Sequence, residues 1–282
     1  MDKTITVASK TIFFREEGSG LPVVLVHGFA EDGGIWDQLV EDLSSGSNRP
    51  QSDDRSPGST CRLLIPDLPG SGRSSPLTGE TSMEQLAEDI RLLLDQEGID
   101  KCVLIGHSMG GYITLAFAEK YPERLKGFGL FHSTAAPDSE EKKTARRKSI
   151  EFIGKNGPAV FIRQSTVNLF APSTRDHHPE IISNTVDRYS DFSANSLVYY
   201  YEAMIRRPDR TLVLERSNVP VLFIIGTQDQ AIPPEQTLQQ AHMPALSHIH
   251  ILENVGHMGM LEDSRQSSDI LDSFLNFIHT HE

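Results

Sequence analysis

Short apolar runs recur along the chain: PVVLV (22–26), RLLIP (62–66), KCVLI (101–105), GFGLF (127–131) and PVLFII (220–225). Runs without a polar alternation are what strands buried on both faces require. HIHIL (248–252) adds one more strand, and TITV and TIFFRE, split by ASK, predict an opening β-hairpin. Helical spacing fills the gaps. Trp36, Leu39, Val40 and Leu43 fall on one stripe, as do Met83, Leu86, Ala87, Ile90, Leu93 and Leu94. Ser82 and Gln85 form an S-x-x-Q start signal for the second stripe, and Gly98 stands where a helix stops. YITLAFAEKY after residue 111 and Ile270–Ile278 read as further helices. Strand and helix alternate, which predicts an α/β fold with a mostly parallel sheet covered on both faces.

The rhythm changes between residues 133 and 217. SEEKKTARRKSIEFI is charged and helical, and Phe152, Phe161, Phe170, Phe192 and Tyr199 follow without a buried-strand pattern. This segment reads as a helical insertion, or cap, lying over a core made of 1–132 and 218–282. Its aromatic residues fit either a small core of the insertion or an apolar substrate pocket. Residues 44–60, rich in Ser, Pro, Gly and Asp, read as a surface loop, because such a composition buries little apolar area.

The formal net charge of −13 sets the carboxylate-rich surface against phosphate backbones and anionic lipid, so nucleic acid and membrane are not expected partners. Cys61 and Cys102, the only cysteines in 282 residues, sit beside predicted strands and read as buried thiols of a reducing compartment. The opening MDKTITVASKTIFF lacks the basic start, long apolar run and cleavage site of a signal peptide. A cytoplasmic location is the expectation.

The chemistry centres on Ile105-Gly106-His107-Ser108-Met109-Gly110-Gly111, between a strand and a helix. A nucleophile on a tight strand-to-helix turn needs very small neighbours two residues to either side, and Gly106 and Gly110 satisfy that. A serine hydroxyl needs a base, and the base an orienting acid. Asp229 and His257 each follow a later strand, and groups at the carboxyl ends of parallel strands converge on one sheet edge. Asp138, after the GLFHSTAAP strand end, is a second candidate for the acid. The backbone N–H groups of Met109 and of Phe29, in the loop after PVVLV, are the candidate oxyanion donors.

With these residues in place, the chain resembles the α/β-hydrolase fold family over nearly its whole length. VLVHGF (24–29) resembles the family's oxyanion loop, PDLPGSGRS (66–74) its D-x-x-G-x-G-x-S turn and IGHSMGG its nucleophile elbow. GTQDQAIP (226–233) resembles the acid motif and NVGHMGMLE (254–262) the histidine turn. The resemblance implies an eight-stranded sheet with a helical cap, Ser108 as nucleophile, His257 as base then acid, Asp229 as its orienter, and no metal or organic cofactor. Serine at the elbow points to acyl transfer on a small-molecule carboxylic ester. Lactone or C–C bond hydrolysis with the same triad is the alternative, and a non-catalytic ligand receptor a third reading.

Other residues carry weaker expectations. His27 reads as a brace of the oxyanion loop and Asp67 as a brace of its own turn. His107 should point away from the nucleophile, and His132 fits either pocket or core. His177-His178 reads as solvent-exposed. Lys142, Lys143, Arg146, Arg147 and Lys148, interspersed with glutamates, read as a solvated helix face.

Overall fold

A computed structural model of the chain describes residues 1–7, 10–45 and 61–281. The strands are β1 (Asp2–Val7), β2 (Lys10–Gly18), β3 (Leu21–Val26), β4 (Cys61–Pro66), β5 (Cys102–His107), β6 (Leu125–Phe131), β7 (Val221–Gly226) and β8 (Ser247–Leu252). Among the described residues they form one eight-stranded sheet in the order β1-β2-β4-β3-β5-β6-β7-β8. β1 and β2 pair antiparallel, β2 meets β4 antiparallel, and every other neighbour is parallel. The expected hairpin is present, although its connecting residues 8 and 9 lie outside the described residues, as does most of the 44–60 segment.

Helices α1 (Asp37–Ser45), α2 (Met83–Gln96) and α3 (Met109–Lys120) connect the first strands. The first stripe begins not as α-helix but as a short 3-10 turn, Gly33–Trp36, held at its start by the Asp32 carboxylate accepting from Gly34 N–H. Ser82 caps α2 as expected, its hydroxyl oxygen accepting from Gln85 N–H at 3.2 Å. Gly98, just past the helix, adopts φ +66°, a left-handed conformation that favours glycine.

Between β6 and β7 the chain is helical: α4 (Glu140–Asn156), α5 (Pro158–Thr166), α6 (Pro172–His177), α7 (Pro179–Tyr189), α8 (Ala194–Arg206) and α9 (Thr211–Glu215). After β7 come α10 (Pro234–Leu238), α11 (Gly259–Glu262) and α12 (Ser264–Thr280), the last one longer than Ile270–Ile278 suggested. No helix among the described residues is long and apolar enough to cross a membrane.

The core lies on both faces of the central strands. Every residue of β5 and β7 is buried, which explains their unbroken apolar runs. Trp36, Leu39, Val40 and Leu43 are buried, as are the α2 stripe residues. Cys61 and Cys102 are buried and not joined by a disulfide. Burial pushes the Cys102 thiol up to about 12, partly offset by Arg124, so it stays protonated and unreactive at neutral pH.

This packing gives a direct test. Leu104 is fully buried at the centre of β5. Leu104→Ala is expected to lower the unfolding free energy by about 2–5 kcal/mol, measured as a lower urea midpoint with an unchanged m-value.

Candidate active site

Ser108 occupies the single residue between the end of β5 and the start of α3. Its backbone has φ 51° and ψ −113°, a conformation that side chains rarely adopt. Three hydrogen bonds hold it: Ser108 N–H donates to Phe131 O at 3.0 Å, and Ser108 O accepts from Gly111 N–H at 3.0 Å and Ser133 Oγ–H at 2.7 Å. The flanking glycines are required by close approach. A Cβ at position 106 would lie 2.2 Å from the Gly110 carbonyl, and one at position 110 would lie 2.3 Å from Val26 O.

The parallel topology brings the distant partners to the same edge. Ser108 Oγ lies 2.8 Å from His257 Nε2, and His257 Nδ1 lies 2.8 Å from Asp229 Oδ2. The second Asp229 oxygen accepts from Ala231 N–H at 2.8 Å and Ile232 N–H at 2.9 Å, so both lone-pair directions are set. Burial alone would raise the Asp229 carboxyl, but its pairing with His257, reinforced by Ile232 N–H, outweighs that and holds it below the usual carboxylate range. An ionised carboxylate there fixes the His257 tautomer, leaving Nε2 to accept from the serine.

Asp138, the other acid considered, does not reach His257. It is buried between Arg146 and Arg207, with Arg146 Nε donating at 2.6 Å and Arg207 Nη1 at 2.8 Å. Arg146 therefore leaves the solvated face on which its sequence neighbours suggested it lay. The buried Asp138 carboxylate draws it inward, because an unpaired charge there would be costly.

Of the two expected oxyanion donors, Met109 directly follows the serine and Phe29 lies in the loop after β3. Gly28 N–H is already committed to Glu31 Oε2 at 2.7 Å. Phe29 N–H and Met109 N–H have no hydrogen-bond partner among the described residues. Met109 N–H opens α3, so the helix directs its positive end at the serine. His27 ties the loop down: Leu68 N–H donates to Nε2 at 3.0 Å, and Nδ1 lies 2.8 Å from Gly28 O. Asp67 accepts from Arg73 N–H in its own turn and also from Gly33 N–H.

The inserted helices contribute to the histidine turn. His257 N–H donates to Leu169 O at 2.7 Å. Glu262 Oε1 accepts from Gly256 and Met258 N–H, while Oε2 accepts from Ala171 N–H and Thr174 Oγ–H. Aromatic packing meets the oxyanion loop from the same side: Tyr201 stacks on Phe29 with ring centroids 4.2 Å apart, and Phe161 meets it edge-on at 6.3 Å. Of the five aromatic residues singled out in the sequence, Phe161 and Phe170 are buried and Phe152 and Phe192 pack against the core. Phe161 also meets Phe29, so its packing extends beyond the inserted helices.

His132 is buried and neutral, its pKa pushed down to about 3 by burial against the opposing pull of Asp229. His107 makes no contact with the serine hydroxyl; its ring nitrogens meet Glu31 and the His257 carbonyl. His177 and His178 are exposed, the first against Ser173 O and the second against Glu180. Three supporting residues were not anticipated from sequence: Ser133, Glu31 and Glu262. An acid three residues after Gly28 and an acid five residues after His257 were the available signals.

The family model for the alpha/beta hydrolase fold matches residues 22–264. A solved thermophilic esterase from Thermogutta terrifontis, malate bound, is 31% identical, covers 99% of this chain and 99% of its own, and superposes with a TM-score of 0.88. Lipase 3 of Moraxella sp. (strain TA144) is 24% identical over 96% of this chain and 84% of its own length. The enol-lactonase from Burkholderia xenovorans LB400 shares the fold, with TM-score 0.83 and 22% identity over 97% of this chain and 100% of its own.

The strain at the elbow is open to measurement. Glycine tolerates φ 51°, whereas a Cβ-bearing residue stores about 1–3 kcal/mol there. Ser108→Gly is expected to unfold at higher denaturant than Ser108→Ala, by about 1 kcal/mol after the entropy of glycine is deducted. Equal midpoints for the two variants would show an unstrained turn.

Proposed function

The chain belongs to the alpha/beta hydrolase fold family, and from that premise we propose that it is a serine hydrolase of small to medium carboxylic esters. Its esterase and lipase relatives support a hydrolase. The observation that carries the finer reading is the hydrogen-bonded chain Ser108–His257–Asp229.

In this reading Ser108 Oγ attacks the ester carbonyl carbon while His257 Nε2 takes its proton. The carbonyl oxygen becomes an oxyanion between Phe29 N–H and Met109 N–H. The tetrahedral intermediate collapses, and His257 returns the proton to the departing alkoxide, releasing the alcohol. Water, deprotonated by His257, then attacks the acyl-serine; collapse frees the carboxylic acid and restores the serine hydroxyl. Asp229 holds the imidazole in register and offsets its transient positive charge. Every step uses groups of the chain itself.

The helices between β6 and β7, residues 133–217, serve as the cap. They pack Phe161 and Tyr201 on Phe29 and grip the histidine turn through Leu169 and Glu262, which supports an apolar acyl or alcohol subsite beneath them. A lactone is a cyclic ester and would follow the same steps. The buried thiols Cys61 and Cys102 suit a cytoplasmic setting.

The wild-type chain is expected to hydrolyse p-nitrophenyl acetate and butyrate and to label with a fluorophosphonate probe. Ser108→Ala should lose the label and roughly 10⁴- to 10⁶-fold in kcat. Asp229→Asn should keep the label weakly and lose roughly 10⁴-fold. Undiminished turnover in Ser108→Ala would end the proposal.

A further inference from the structure

Four histidines are buried around the site, and their hydrogen-bond partners set a different proton content for one of them. A neutral imidazole has one donor and one acceptor nitrogen; an imidazolium has two donors. His27 accepts from Leu68 N–H and faces Gly28 O, which suits a neutral ring. His257 faces a carboxylate and a serine hydroxyl, again a neutral pattern. His132 faces two backbone N–H groups, those of Gly226 and Gly259; a neutral ring accepts from one of them, and neither contact calls for a second ring proton.

His107 differs. Its Nδ1 lies 3.1 Å from Glu31 Oε2, and its Nε2 lies 2.9 Å from the backbone carbonyl of His257. A carbonyl oxygen never donates, and the same Glu31 Oε2 already accepts from Gly28 N–H at 2.7 Å, as an ionised carboxylate does. Both ring nitrogens therefore donate. We propose that Glu31 and His107 form a buried ion pair, with an imidazolium at 107, that positions both the oxyanion loop and the catalytic histidine. The proposal rests on the reading of Ser108 and His257 as the reacting pair.

The pair touches three parts of that machinery. Glu31 holds Gly28 N–H, one residue before the proposed donor Phe29. His107 directly precedes Ser108. Its Nε2–H fixes the carbonyl of His257 itself. Neither residue meets the serine hydroxyl, so both are positioning residues. The fit is close: a Cβ at Gly28 would stand 2.8 Å from His107 Nδ1 and 3.0 Å from Glu31 Oε2.

The surroundings favour the charged form. The ring is enclosed by Trp36 and Phe131 edges, with His132 at 6.3 Å and His257 at 4.9 Å between centroids. Burial works against the charge, but Glu31, the His257 carbonyl and Asp229 outweigh it and raise the His107 pKa above its ordinary value. Burial likewise opposes the Glu31 charge, yet His107 and Gly28 N–H carry that carboxyl below its ordinary range. Pairing is what makes two buried charges tolerable, and loss of either partner leaves the other uncompensated.

Two experiments decide the matter. Nitrogen NMR of the wild-type chain, with the ring of residue 107 assigned by through-bond correlation, is expected to show both ring nitrogens protonated at pH 8. That lies well above the ordinary histidine value of about 6.5. One unprotonated nitrogen at 107 would overturn the ion pair. Glu31→Gln keeps the volume and an oxygen for Gly28 but removes the countercharge. It is expected to lower kcat on p-nitrophenyl acetate by about tenfold to a hundredfold, with KM within about twofold and the circular dichroism unchanged. A kcat within about twofold of wild type would overturn the positioning role. If the wild-type chain turned over no ester, the hydrolase reading would fail, while the NMR result would still decide the ion pair.

Discussion

A strand must become a helix within one residue at Ser108, and the rest of the site is arranged around that reversal. The turn closes only because α3 can press against the ends of β5 and β3, and it can do so only where positions 106 and 110 lack side chains. The serine backbone is left in a strained region, held by Phe131 O, Gly111 N–H and Ser133 Oγ. What the strain achieves is orientation. The hydroxyl is carried clear of the sheet toward His257, and the first N–H of the helix is left without a carbonyl to bond. A relaxed turn would give up one or both.

Around this fixed point the electrostatics are set by burial combined with selective pairing. Asp229 is kept ionised by its histidine and by two backbone N–H groups, despite burial that opposes its charge. His132, within 3.6 Å of the same carboxylate, stays neutral because burial prevails there. Two imidazoles close to one carboxylate thus take different roles. The one in line with the serine meets its hydroxyl. The other fills the space behind, and its ring sits close to where Gly226 and Gly259 would carry side chains.

Much of this was legible in the sequence because it is local. Apolar runs of five or six residues locate the buried strands, and the glycine spacing around Ser108 follows from steric rules that need no knowledge of the fold. Asp229 and His257 were legible because strand ends converge in any parallel sheet. The supporting residues were hidden because their partners lie far away in sequence. Glu262 binds Ala171 and Thr174, Glu31 binds His107, and Arg146 turns inward to Asp138 although its neighbours along the helix are solvated. A helix-face pattern records which residues share a surface, not which acid waits beneath it.

The attachments of the histidine turn bear on how such a site can diversify. The loop carrying His257 is held from below by the His107 ring and from above by Leu169, Ala171 and Thr174, directly or through Glu262. His257 is therefore positioned partly by the inserted segment that also brings Phe161 and Tyr201 onto Phe29. Phe161 of α5 and Tyr201 of α8 take no part in these bonds. Residues 169–174, by contrast, hold the turn that carries His257. The aromatic packing on Phe29 and the anchoring of His257 thus rest on different residues of the insertion, so a substitution at Phe161 or Tyr201 removes none of the bonds to the histidine turn.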